Sequence, residues 1–540
     1  MNRRNTKESQ GIPATAAYLG AGLIGLLQVL FIFPFTFLFP EAGRGWAPSG
    51  DAAQHAIAQA YFIRDSWHWP PLLALNLNTP EGTNIAFADG IPLLALPLKL
   101  AAPLLPAGFH GIGLWYAIAT LGQALAAVFA LRSAGERRLL PAIGVVLAAL
   151  AMPAFLARYG HAALTGHAVI LLALGVSLRL VRDASRRLWI VTGAFLVASL
   201  LVHPYLAAMA SALIAAAPLT LLLRGDRRWA GAALGVVASV AAVAVTMGAF
   251  GYLGATGDGG YGQFALNLLS PVWPYRSALF GGGIAREIDA TGHGGWEGYN
   301  WLGAGLIGGL VLAAVLRPAA LVALVRRHGG LALALAGLTV LAISHRVGLG
   351  ERIVLDLGTV PGVLEQFRAS GRFFWPVAYA LLIGAAVLLA RSGRAGPVLV
   401  LAFGIVQAVD AAPIRRDLAD WANARPAWTL DAPALRPMMM QARALTLLPS
   451  WPCIPADATA TFVAAHEALA LGAERALPAS TMHLARWRTP PRCDDAARAA
   501  APLAPGELRL ILPASVPALV PLVPDAAIRC GAVGAAVACR

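Results

Sequence analysis

Asp51 and His55 stand in the run Gly50-Asp51-Ala52-Ala53-Gln54-His55. Positions i and i+4 of a helix share a face, so this carboxylate and imidazole would point the same way. A carboxylate that reaches an acceptor hydroxyl can take its proton. The same pair could hold a divalent cation. Asp is also a favoured helix N-cap, and the residues alone leave these readings open.

Further along comes Phe87-Ala88-Asp89-Gly90, where Asp89 suits a turn or cap. Arg158-Tyr159-Gly160-His161 follows, with His167 close behind. Asn267, Glu297 and Tyr299 lie among glycines and tryptophans, a mixture that suits a sugar, whose faces stack on aromatic rings and whose hydroxyls hydrogen-bond. The alternative is an aromatic belt at a membrane surface. Finally, Arg346, Arg368 and Arg372 precede or open an apolar run. Guanidinium forks suit phosphate, although neighbouring acids could pair with them instead.

The elements that must position these residues are membrane helices. The 540-residue chain is 58% hydrophobic and only 13% charged, with mean hydropathy +0.67. Soluble domains carry about a quarter charged residues. Apolar runs that are candidates to span lipid, several of them short, fall at about 16–39, 111–131, 139–156, 162–180, 188–202, 204–223, 229–250, 299–316, 331–345, 373–390 and 396–410. The net charge of +14 is carried mainly by short arginine clusters between these runs, so nucleic-acid binding is excluded. The segment Gly90 to Pro106 is apolar but broken by prolines, and it is predicted not to span.

With that choice every basic cluster falls on the side of the N-terminus, as positive charge does on the cytoplasmic side. The expected architecture is an all-α polytopic membrane bundle of about eleven helices with a small C-terminal α/β periplasmic domain. Residues 1–15 would form a cytoplasmic tail, 16–410 the membrane domain and 411–540 the periplasmic domain. Outer loops would cover 40–110, 251–298 and 345–372. The setting is a bacterial inner membrane, multi-pass, N-terminus in and C-terminus out.

All four cysteines, Cys453, Cys493, Cys530 and Cys539, lie in the tail. Clustering there suits an oxidising compartment. Of three pairings, Cys453 with Cys493 and Cys530 with Cys539 is expected.

These residues resemble the GT-C superfamily of integral-membrane glycosyltransferases, and within that fold an uncharacterised bacterial membrane family with a domain of unknown function. The resemblance rests on Gly50-Asp51 to His55, Phe87 to Leu93, Arg158 to His167, Asn267-Leu268-Leu269, Glu297-Gly298-Tyr299 and Phe367-Arg368 to Phe373. It implies sugar transfer from a polyprenyl-phosphate donor to a cell-envelope glycan or lipid acceptor on the outer face. Asp51 would then be the catalytic base. Arg368, Arg372 and Arg346 would bind the donor phosphate. His55, Asp89, Arg158, His161, Asn267, Glu297 and Tyr299 would line the substrate site. No cofactor motif is evident, the loop lacks an Asp-X-Asp pair, and a divalent cation stays an open question. A transporter or flippase of lipid-linked sugars, or a non-catalytic envelope-assembly protein, are the other readings.

Overall fold

Each of the eleven apolar segments forms a helix, from Ala14–Ile32 to Gly396–Asp410. The computed structural model describes residues 13–40, 50–257, 259–281, 286–425, 427–484, 486–488 and 492–540. The expected N-terminal tail therefore lies almost wholly outside the described residues. Among these, six helices are long and apolar enough to cross a membrane. The number is eight if the bent pairs Ala304–Leu316 with Pro318–Arg327 and Gly396–Asp410 with Ala412–Asn423 each make one span. Leu139–Leu150 and Gly329–Ile343 are shorter. At 1.5 Å per residue they reach roughly 18–23 Å against a hydrocarbon core of about 30 Å. Pro92–Leu100, in the proline-broken segment, is shorter still.

Large apolar side chains on these helices face outward. Phe31 and Val245 are 74% and 71% exposed, and Trp229–Ala249 buries only Ala232 and Ser239. Such a surface needs lipid rather than water around it. Between helices, small residues allow close contact, as lipid-embedded packing favours. Where Leu139–Leu150 crosses Gly396–Asp410, a Cβ on Gly144 would sit 2.3 Å from the Val400 carbonyl oxygen. One on Gly404 would sit 2.2 Å from that of Gly144.

One end of the bundle gathers the basic loops. Arg224 hydrogen-bonds the Arg327 carbonyl, Arg228 that of Arg182, Arg182 that of Ser133, Arg138 that of Ala390 and Arg317 that of Arg391. Cationic side chains on terminal helix carbonyls are favourable.

The other end carries the long loops and the C-terminal domain. That domain holds a four-stranded sheet in the order Ala444–Leu448, Glu507–Ile511, Ala536–Cys539, Cys530–Val533. Its first pair is parallel and the rest antiparallel. The segment 526–533 divides into a short helix, Ala526–Arg529, and the strand Cys530–Val533. Thr459–Ala473 shares an apolar cluster with the sheet and packs on Gly50–Arg64 of the membrane part. Gly50–Arg64 is buried from Ala52 to Ile63. Its Ala53, Ile57 and Tyr61 share one apolar cluster with Leu445 and Leu469 of the C-terminal domain. The two parts are thus joined through a common core. Cys453 bonds Cys493 and Cys530 bonds Cys539, as expected.

Candidate functional site

Gly50–Arg64 places its two chemical residues one turn apart. Asp51 opens to solvent at the rim, whereas His55 is 1% exposed. Burial by the protein packed around the rim, with the Glu297 and Asp89 carboxylates nearby, raises the Asp51 carboxyl to about 6. Water at the rim tempers that push, and the direction is upward. Burial lowers His55 to about 4, so its ring is neutral at pH 7.

Asp89 is presented by a turn in the left-handed region. The short 3-10 helix Ile85–Ala88 ends on Asp89 at φ 51°, a conformation Asp tolerates. Ile91 follows at φ 52°, which is costly for a β-branched residue. Buried Gln59 holds this turn by donating to the Gly90 carbonyl and accepting from Gly111 N–H. Such strain persists where surroundings over-determine it and often marks a working site.

Three imidazoles converge on Asp89. Nε2 of His161 lies 3.3 Å and Nε2 of His55 3.8 Å from Oδ2, and Nε2 of His203 lies 3.2 Å from Oδ1. Burial alone would raise the Asp89 carboxyl, but His161, His203 and His55 together hold it well below the usual carboxylate range. His203 caps the helix Pro204–Leu223, and its Nδ1 accepts from Tyr205 N–H. A backbone N–H can only donate, so Nδ1 of His203 is the acceptor here and Nε2 is the nitrogen that offers a proton to Asp89.

His55, Asp89 and His161 could hold a metal ion, since one ligand atom from each lies within 4.8 Å of the others. Atoms about 2.1 Å from a tetrahedral ion are roughly 3.4 Å apart, and the observed 3.3 and 3.8 Å bracket that edge. Nδ1 of both His55 and His161 is buried without a partner. Two neutral imidazoles and a carboxylate form a donor set suited to zinc or a similar transition ion. His203 then orients the carboxylate from behind.

A second group adjoins the first. Glu297 Oε2 accepts from Arg158 Nη1 at 2.6 Å and from Arg372 Nε and Nη2 at 3.0 and 2.8 Å. Arg158 also reaches the Trp296 carbonyl. Burial would raise Glu297, but the two guanidinium groups outweigh it and hold it at about 2. Arg372 also lies over the Tyr205 ring, 5.0 Å from its centroid. Charges on Arg372 and Arg368 act on Asp51 as well, so the rim carboxylate borders both groups.

The chain matches the family model described as domain of unknown function DUF6311 over residues 22–412, and that of the DUF6311 C-terminal domain over 434–540. It belongs to the DUF6311 family. No curated protein and no solved structure matches it. The division between the two DUF6311 models falls after the helix bundle and before the C-terminal sheet.

Of the residues singled out from the DUF6311 sequence, Asp51, His55, Asp89, Arg158, His161, Glu297 and Arg372 come together. Exposed Arg368 flanks them, 5.5 Å from the Phe264 ring centroid. The other three are engaged elsewhere. Arg346 pairs with Asp356 across the hairpin of Arg346–Leu349 and Arg352–Asp356. Asn267 binds both the N–H and the carbonyl of Gly350, and Tyr299 donates to the Tyr275 carbonyl. His167 is bonded to Tyr379 inside the bundle. Sequence reasoning missed His203 and Gln59. A polar residue fixed at a helix start by a following proline was the available signal.

Proposed function

We propose that the protein is a GT-C-type membrane glycosyltransferase of the bacterial inner membrane. It transfers a sugar from a polyprenyl-phosphate donor to a cell-envelope acceptor on the periplasmic face. In this reading eleven helices span, the basic loops face the cytoplasm, and the C-terminal domain is periplasmic. The observation that carries the reading is the meeting of a base-ready carboxylate with an arginine group at the end of the bundle opposite the basic loops.

Asp51, with its carboxyl raised to about 6, takes the proton of the acceptor hydroxyl, a role in which a pKa near the working pH is favoured. The acceptor oxygen attacks the anomeric carbon, and the bond from that carbon to the phosphate oxygen breaks. Negative charge grows on the departing polyprenyl phosphate, where Arg368 at the surface and Arg372 behind it stabilise it. Glu297 holds Arg372 and Arg158 in place and leaves the trio one positive charge. His55, Asp89 and His161 would hold a divalent ion, which when bound would polarise the donor phosphate.

The test is complementation of a deletion strain with wild type or Asp51→Asn, followed by analysis of envelope glycans and polyprenyl-linked sugars. Wild type should restore a missing glycan. The variant, present at equal abundance, should leave the lipid-linked sugar to accumulate on the outer face. Unaltered envelope glycans in the deletion strain would sink the reading. Accumulation on the cytoplasmic face would transfer the case to a flippase.

A further inference from the structure

A cavity of about 600 Å³ lies between the first outer loop and the C-terminal domain. Small-molecule sites run to roughly 300–1,000 Å³, so the space suits an oligosaccharide segment rather than a single ion. Its walls come from residues 70–87 on one side and from 450–452, 480–484, 486–488 and 492–498 on the other.

The walls are fixed. Leu77 bridges Ala479 and Thr256 bridges Trp487, and Asn78 accepts from Met482 N–H. The Cys453–Cys493 disulfide ties the strip bearing Trp451 to the one bearing Arg492. A site built in advance loses less ordering entropy on binding.

The chemistry is cationic and aromatic. Arg486, Arg488, Arg492 and Arg498 line the cavity with Trp451 and Trp487, against two acids, Glu81 and Asp494. The arginine partners are neutral: Arg486 bonds Gln366, Arg488 the Gly251 carbonyl and Arg498 the Ser450 hydroxyl. Among the described residues none of the four pairs with a carboxylate. Their positive charge is therefore left for a ligand. Guanidinium groups suit carboxylate and phosphate, and indole faces suit the apolar face of a sugar ring.

The cavity also adjoins the site already described: Phe87 in its wall is two residues from Asp89.

We propose that this cleft binds an anionic glycan, a sugar chain bearing carboxylate or phosphate groups, and leads it toward Asp51. That the glycan is the acceptor rests on the transferase reading; that it binds does not.

Binding is measured on the full chain in phosphatidylcholine nanodiscs with no donor present. The probes are fluorescent oligogalacturonate, a glycerol-phosphate oligomer and neutral maltohexaose of matched length. Oligogalacturonate or the glycerol-phosphate oligomer should bind at least tenfold more tightly than maltohexaose. Whichever is tighter tells carboxylate from phosphate as the natural substituent. Arg488 and Arg492 are both exposed, so Arg488→Glu with Arg492→Glu should fold normally and weaken anionic binding tenfold or more. Trp487→Ala should weaken all saccharide binding. Equal affinity for anionic and neutral probes overturns the proposal, as does unchanged affinity in the double variant. Binding only to anionic-lipid nanodiscs would assign the cleft to headgroups and overturn it too. A protein that binds these probes while deletion of its gene leaves envelope glycans unaltered sinks the transferase reading instead.

Discussion

At one end of the bundle Arg224 and Arg228 lie exposed and reach over backbone carbonyls of neighbouring loops. At the other, Arg158 and Arg372 are 5% and 7% exposed and close on a single oxygen of Glu297. Both ends hold arginine, but the surroundings differ. The first set sits in water, where its charge is screened and a partner adds little. The second is stripped of water, where each charge needs its counter-ion. Solvated arginines can set orientation in a membrane without being tied to one geometry. Desolvated ones hold a fixed arrangement, and that is what binding or catalysis requires.

The sharpest way to test this contrast is at Asp51. With its carboxyl at about 6, the base is ionised above that pH and protonated below it. Turnover should therefore be level above pH 6 and fall about tenfold per unit below it. In Asp51→Asn this acid limb should vanish, and the rate should drop by about 10²–10⁴. An initial-rate profile that keeps its acid limb in the variant would assign the titration to another group.

Next in size is Glu297. Glu297→Gln preserves shape but leaves two buried guanidinium groups without a counter-ion. Breaking a buried pair in this way costs about 3–5 kcal/mol. Unfolding of the detergent-solubilised protein followed by circular dichroism should register the loss. Unchanged stability would mean that water reaches the Arg158 and Arg372 heads, and the contrast between the ends would blur.

A smaller effect is expected at His203. It touches Asp89 without being one of the three metal-capable residues. Removing a group that orients a ligand weakens metal binding by about 10–100-fold. Competition for Zn²⁺ with a chelating dye should show this in His203→Ala and a greater loss in His161→Ala. Equal affinity across wild type and both variants would reduce the imidazoles to a hydrogen-bonded cluster.

Much of this was legible in the sequence, for identifiable reasons. Long apolar runs leave only helix as a way to satisfy backbone groups in lipid, so all eleven segments were placed as helices, of which six to eight are long and apolar enough to span. Asp51, His55, Asp89, Arg158, His161, Glu297 and Arg372 stood out as polar residues beside apolar runs, and they meet. Asn267, Tyr299 and Arg346 stood out for the same reason, yet their polar atoms serve the loops themselves. Residue type alone cannot tell a loop tie from a ligand. His203 was hidden because it sits between two apolar runs as the cap of Pro204–Leu223, and a cap residue carries no sign of what its ring reaches. Gln59 was hidden inside a helix that the C-terminal domain covers on one side and the membrane part on the others. The cavity between the domains depends on residues about 400 positions apart, such as Thr79 and Ala479, a separation that no local pattern reports.

The smallest expected effect lies at the basic end. Asp226 pairs with Arg228 at 2.7 Å and accepts from its backbone N–H at 3.0 Å. On paper this pair looks as good as Arg158 with Glu297. The Arg228 side chain is 49% exposed, however, and water can replace the carboxylate at once. Asp226→Asn keeps the acceptor oxygen for Arg228 N–H, so the turn into Trp229–Ala249 should survive. The expected result is no measurable change in unfolding, in the same detergent and at the same pH as Glu297→Gln. Raising the salt should leave the Asp226 variant and wild type indistinguishable, because an exposed pair is already screened. A destabilisation equal to that of Glu297→Gln would mean that burial does not separate the two ends.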